Sequence, residues 1–150
     1  MFISYVMSVE RVSKKKKLFQ NPHCEALFTE YLKRTEKFIP VDVKGATLES
    51  LASLTGAVWV CHGTEKQKVP SSVELSKKLN RVLVSGVKEL TILIGPPNGF
   101  TENDLKRLPV DFQWSFGPMT LPHELALVVA SEQIYRAFSI LKGLPYHLEH

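Results

Sequence analysis

Leu90-Thr91-Ile92-Leu93-Ile94, running straight into Gly95-Pro96-Pro97-Asn98-Gly99, is the stretch that decides the fold class. Five uncharged residues in a row, rich in aliphatic and β-branched types, describe a strand covered on both faces, and such strands belong to parallel sheets flanked by helices. The Gly/Pro loop comes directly after the strand, where open parallel sheets bind ligands. On its own that loop is equally a tight turn. It is not a kinase-type phosphate loop, because no Gly-Lys-Ser/Thr follows. Thr101-Glu102-Asn103-Asp104 then sets a hydroxyl three residues before a carboxylate, a reciprocal cap that opens a short helix.

The alternation continues outward in both directions. Residues 2–9 predict a strand, and Ser13-Lys14-Lys15-Lys16-Lys17 an exposed basic loop. Asn21-Pro22 marks a helix start, with Ala26, Leu27, Tyr31 and Phe38 near helical spacing and the helix running through Lys37. Residues 38–43 predict a second strand, 47–55 a short helix and 57–61 a buried strand. Ser71-Ser72-Val73-Glu74 carries another reciprocal capping pattern, for a helix to about Ser85 that Gly86 ends. Residues 112–116 predict the last strand, and 122–142 a long terminal helix with Pro122 near its first turn and Gly143 past its end. Strands alternating with helices give an α/β protein with a mostly parallel sheet covered by helices on both faces. On the terminal helix Leu125, Leu127, Val128, Val129, Ala130, Ile134 and Phe138 surround much of the circumference. One face should meet the sheet and another a second copy of the chain.

With 150 residues and 16.9 kDa, the chain predicts a single domain over residues 1–147. Its 44% apolar and 23% charged residues exclude disordered and fibrous classes. No uncharged apolar run approaches the roughly 20 residues of a membrane span. The lysines follow the first apolar stretch instead of preceding it, as a secretion signal would require, so a cytoplasmic protein with no membrane partner is expected. Cys24 and Cys61 are the only cysteines, too few for a disulfide framework and not spaced as a zinc pair. No metal is expected. A net charge of +4 permits an anionic partner without demanding one. The lysine run is most simply a solvated loop, although such a cluster can hold nucleic-acid phosphates by counterion release. Leu148-Glu149-His150 has the composition of an expression-tag remnant and carries no functional weight here.

Four segments together carry a resemblance: Ile94-Gly95-Pro96-Pro97-Asn98-Gly99, Phe116-Gly117-Pro118-Met119-Thr120-Leu121, Glu132-Gln133-Ile134-Tyr135-Arg136-Ala137 and Pro145-Tyr146-His147. A weaker match lies at Phe28-Thr29-Glu30-Tyr31-Leu32-Lys33-Arg34. The chain resembles the bacterial ribosomal large-subunit methyltransferase H family, small SPOUT-class enzymes that use S-adenosylmethionine to methylate N3 of a pseudouridine in 23S rRNA. The resemblance implies an α/β knot with a deep C-terminal trefoil, a homodimer with composite sites, and ribosomal RNA in the large subunit or assembled ribosome as partner. It implies S-adenosyl-L-methionine binding by Gly95, by Gly63 in the loop after the third strand, and by Phe116, Gly117, Pro118, Met119, Thr120 and Leu121 around the adenine. It further implies His147 as proton acceptor, Arg136 as stabiliser of charge on the base oxygens, and Tyr146 as the group that orients the base. His123 is more simply structural.

Two departures from the family pattern stand out. Pro96 replaces a glycine, which removes a backbone donor and fixes φ. The loop after the third strand reads Cys61-His62-Gly63-Thr64 and lacks the carboxylate that family members place there; an alternative alignment sets Cys61 where Gly63 would stand. Two rival functions therefore remain: a lapsed homologue that binds rRNA or S-adenosylmethionine without turnover, and a generic nucleotide-binding α/β module.

Overall fold

The computed structural model describes residues 1–13, 17–62 and 67–148. Five strands make one sheet in the order β2-β1-β4-β3-β5, and each neighbouring pair is parallel. They are β1 (Phe2–Ser8), β2 (Val41–Ala46), β3 (Ala57–Cys61), β4 (Glu89–Ile94) and β5 (Phe112–Trp114), linked by α1 (Pro22–Glu36), α2 (Leu48–Leu51), α3 (Ser72–Val84) and α4 (Glu102–Arg107). α5 (His123–Leu141) follows β5.

Side chains alternate across the pleat and split the core in two. Ile3, Tyr5, Leu90, Ile92 and Trp59 face one side, where Phe28 of α1, Leu75 and Leu79 of α3, and Leu127, Ile134 and Phe138 of α5 cover them. Val6, Val60 and Leu93 face the other side, under Leu51, Phe100 and Leu108 beside the shorter α2 and α4. Both faces of the sheet are thus covered, which is why the central strands carry no charge beyond Glu89 at the start of β4.

Most expected element boundaries hold, and the shifts have local causes. Asn21 caps α1 with its side chain, accepting from the amides of His23 and Cys24. The second strand begins at Val41, not 38, because the amides of Phe38 and Ile39 both bond back to the Thr35 carbonyl and prolong the helical turn. Pro40 then accepts from Ile3 and starts the ladder. α2 is a single turn, shorter than 47–55, closing through bonds from Ala52, Ser53 and Leu54. β5 stops at Trp114 instead of Phe116, since the Ser115 hydroxyl accepts from the Gly117 amide and turns the chain away. Thr101 and Asp104 form the complete reciprocal cap. Ser71 caps the Glu74 amide, but the Glu74 carboxylate turns to Lys68 at 3.5 Å instead of reaching back. Pro122 sits just before α5 as its N-cap. Of the lysine run, residues 14–16 lie outside the described residues, and Lys17 is exposed.

A long-range polar contact ties α1 to α5. Glu124 Oε1, buried in the first turn of α5, accepts from the amides of Gln20 and Asn21 at 3.0 Å each. Carboxylates are favoured at a helix start, so this residue serves two helices at once.

Gly56 enters β3 at φ +79°, and a Cβ there would lie 2.5 Å from the Glu89 carbonyl oxygen. Gly56→Ala combines left-handed strain with a backbone clash, and should cost more than about 2 kcal/mol. Urea unfolding measures it; a change under about 0.5 kcal/mol, the range of an ordinary surface substitution, would refute the assignment.

Candidate functional site

At the C-terminal ends of β3 and β5 the sheet opens into a cavity of about 190 Å³. Cys61 and His62 form one wall, Trp114 and Phe116 another, and the segment Gly117 to Leu121 a third, with Ala126 of α5 at the rim. Trp114 and Phe116 meet edge to face with ring centroids 5.0 Å apart, while Trp59 packs edge-on against Trp114 below. Gly117 adopts φ +115°, a conformation open almost only to glycine, and a Cβ there would meet nothing within 4 Å. The missing side chain leaves backbone exposed to whatever occupies the cavity. Met119 projects outward, 76% exposed. Burial pushes the Cys61 thiol well above its ordinary value, so it is an apolar wall and not a nucleophile.

A larger groove of about 480 Å³ lies at the opposite end of the sheet, between Met1, Phe2, Pro40, Val41, Asp42 and Lys88. It is shallow and mostly apolar, and Asp42 is already engaged by the Ser4 hydroxyl. Parallel sheets bind ligands at the carboxyl ends of their strands, which favours the smaller cavity.

The second constellation stands on α5 and the tail. Glu132 Oε1 accepts from Arg136 Nε at 2.9 Å, Arg136 Nη2 at 2.6 Å and the Tyr146 hydroxyl at 3.0 Å. Arg136 Nη1 lies 3.2 Å from His147 Nδ1. A guanidinium only donates, so Nδ1 must accept, and a neutral imidazole then carries its proton on Nε2. The Arg136 guanidinium sits 4.8 Å over the Tyr146 ring, and Tyr135 meets the same ring edge-on at 4.7 Å. Arg34 of α1 lies 5.6 Å from both the Tyr31 and Tyr135 rings. For Arg136, partial burial opposes the charge, but the hydrogen bonds and charge of Glu132 outweigh it and the pKa rises. The Tyr146 phenol is also pushed up, by burial first and then by its bonds with Tyr31 and Glu132.

The residues singled out from sequence therefore fall into two groups. Arg136 touches both His147 and Tyr146. Phe116, Gly117, Pro118, Met119, Thr120 and Leu121 line one cavity. Gly95 follows Ile94, which pairs with Cys61, so it neighbours the site by register but does not line the cavity. Phe100 fills the space above it, 3.2 Å from where a Cβ would stand. Pro96 accepts from the Gly99 amide in a tight turn. Gly63 lies outside the described residues. Sequence reading missed Glu132 as the shared acceptor, and His62 and Trp114 as walls. Glu132 and Arg136 are four residues apart on a helix, and that spacing was the available signal. Among the described residues no group of three or more His, Cys, Asp or Glu could hold a metal ion, and no helix is long and apolar enough to cross a membrane.

Along α5 the rim residue Ala126 precedes Arg136 by ten positions, about 15 Å of helix at 1.5 Å per residue. The cavity and the tail constellation thus attach to α5 nearly three turns apart.

Comparison with known proteins bears on both groups. A family model described as "Predicted SPOUT methyltransferase" matches residues 45–147, which include the cavity segment and the tail. Ribosomal RNA large subunit methyltransferase H of Koribacter versatilis (strain Ellin345) is 38% identical over 133 residues, spanning 84% of this chain and 89% of the relative. The protein of the same name from Thioalkalivibrio sulfidiphilus (strain HL-EbGR7) is 45% identical over 85 residues, 57% of this chain and 53% of the relative. The chain thus matches only about half the length of several such relatives. Among solved structures, that of a probable methyltransferase from Bordetella pertussis Tohama I superposes with a TM-score of 0.55 at 12% identity, covering 90% of this chain and 95% of the other. That likeness speaks for the fold alone.

Tyr5, buried without a partner for its hydroxyl, and Tyr146 both have phenols pushed up from the ordinary value of 10.0. A raised phenol pKa means the folded state favours the protonated form. Its stabilising contribution is complete below pH 10 and lost as pH climbs through the folded value. Tyrosinate absorbance between pH 10 and 11 should be equal in the natural chain and in Tyr146→Phe. A smaller step in the variant would show that Tyr146 ionises freely and that the network is open.

Proposed function

Because the chain belongs to the SPOUT methyltransferase family, within its ribosomal RNA large subunit methyltransferase H group, we propose that it transfers a methyl group from S-adenosylmethionine to large-subunit ribosomal RNA, at N3 of a pseudouridine. The observation that carries this reading is the cavity at the ends of β3 and β5. Its aromatic and apolar walls suit an adenine, and Gly117 leaves the backbone open where a side chain would otherwise project. At about 190 Å³ it would take the adenine end of the donor, held by residues 116–121. Bound there, S-adenosylmethionine supplies an electrophilic methyl on a sulfonium.

The protein's share is positioning and proton transfer. Residues 116–121 hold the donor and exclude water. An N3 imide must lose its proton to become nucleophilic, and His147 takes it at Nδ1. In the free chain Arg136 Nη1 engages that nitrogen. A uracil-type oxygen competes for Nη1, which frees the lone pair of Nδ1 and places the guanidinium where negative charge develops. Tyr146 orients the base, which must be unstacked to enter. Because the cavity and tail of one copy stand about 15 Å apart along α5, the transfer is proposed to occur in a homodimer, with one copy's tail serving the other's cavity. A knotted C-terminal segment and a cytoplasmic site of action belong to the same proposal. Exposed Leu125 and Met119 beside the cavity suit such a junction.

A second reading, binding without turnover, is favoured by the small cavity and by Pro96. Calorimetry with S-adenosylmethionine and labelled methyl transfer to ribosomes lacking the modification separate the two. The natural chain should show both heat and incorporation; heat without incorporation identifies the lapsed form. His147→Ala should lower the rate by about 10² to 10⁴ and leave donor binding unchanged. Equal rates would remove His147 from the chemistry.

A further inference from the structure

Behind the tail constellation runs a hydrogen-bond chain that the proposed chemistry does not use. The hydroxyl of Ser72, the first residue of α3, donates to Gln133 Oε1 at 2.7 Å. Gln133 Nε2 donates to Glu132 Oε2 at 2.8 Å. The other oxygen of that carboxylate is the one that receives Arg136 and Tyr146. Directions along the chain are forced. An ionised carboxylate only accepts, so the amide must turn its NH₂ toward Glu132 and its carbonyl toward Ser72, whose hydroxyl then has to donate.

The terminal torsion of a glutamate is broad, and its two oxygens exchange readily when neither is held. Gln133 pins Oε2, which leaves Oε1 as the fixed meeting point for three donors. We propose that Gln133 is a positioning residue: it orients Glu132, and through it Arg136, Tyr146 and His147, and it anchors this group to the first turn of α3. The catalytic consequence rests on the methyl-transfer reading; the seating of the tail does not.

The bland alternative is a polar contact that only helps α3 pack on α5. Two measurements on the chain separate the possibilities: amide hydrogen exchange of Leu144, Tyr146 and His147, and steady-state methylation with kcat and KM resolved. In Gln133→Leu, tail exchange should rise several-fold with the thermal midpoint nearly unchanged. Its kcat should fall about tenfold, the loss expected for one hydrogen bond to a charged group, with KM for S-adenosylmethionine within about twofold. Gln133→Glu sets a second carboxylate beside Glu132, and two such groups share a proton. Measured relative to the natural chain at each pH, this variant should lose activity as pH rises through the elevated carboxyl value, a limb that the natural chain lacks. Ser72→Ala should change tail exchange in the same direction by a smaller factor, and it keeps the idea testable if Gln133→Leu fails to fold.

Unchanged tail exchange in the Gln133 variants overturns the proposal. Raised exchange with unchanged kcat, or Gln133→Glu with the natural pH profile, also overturns it and leaves a packing contact. Raised tail exchange in a chain that never methylates RNA upholds the seating by Gln133 and overturns the methyl-transfer reading instead.

Discussion

Every neighbouring pair of strands in this protein is parallel, and the rest of the structure follows from that constraint. Parallel strands cannot be joined by tight hairpins, so each connection must cross back over a face of the sheet, usually as a helix. All five strands therefore end at the same edge, where their loops emerge side by side. Cys61 and His62 at the end of β3 and the segment after β5 line the cavity there. Because β3 sits between β4 and β5, the Gly95 loop is its neighbour on the other flank. Crossovers covering both faces also explain why the central strands are mostly apolar, with only Ser4 and Thr91 as fully buried polar side chains in β1 and β4.

α5 carries an unusual share of that polarity for a helix so deeply packed. Leu127, Ala130, Ile134 and Ala137 are fully buried, and the same helix presents Glu124, Glu132, Gln133 and Arg136. Each of these makes a directed bond to another element: Glu124 to the segment entering α1, Gln133 to α3, Glu132 and Arg136 to the tail. A partly buried carboxylate left unpaired is costly, and here the glutamates are satisfied by backbone amides, a guanidinium, a phenol and an amide. The helix thus acts as a rail on which the cavity rim and the tail constellation are mounted at a set separation. That spacing gives a partner copy a physical reason to exist in the proposed mechanism.

The departures from the family pattern also look different in three dimensions. Pro96 carries no amide hydrogen, but its carbonyl closes the 96–99 turn, and Gly99 supplies the positive φ that the turn requires. Gly95 is small because Phe100 packs over it. The loop thus keeps a defined shape without the family's second glycine.

Much of the fold was legible in the residues themselves because the signals were local. Uncharged runs at 57–61 and 90–94, caps at Asn21, Ser71 and Thr101, and glycines at 86 and 143 act within a few positions of themselves, and each element they mark is present. Boundaries moved where a neighbour intervened, as when Thr35 held back the second strand or Ser115 ended the last. The tail group was readable as residue types but not as a network: nothing local says that one oxygen of Glu132 gathers Arg136 and Tyr146, or that Gln133 ties it to Ser72. Nor could sequence order tell that Cys61 and Trp114 share a cavity, since the order β4-β3-β5 brings them together across more than fifty residues. Patterns of hydrophobicity and capping suffice for elements because their physics is short-ranged. The site needed the sheet order and the packing of α5, which exist only once distant segments have closed on one another.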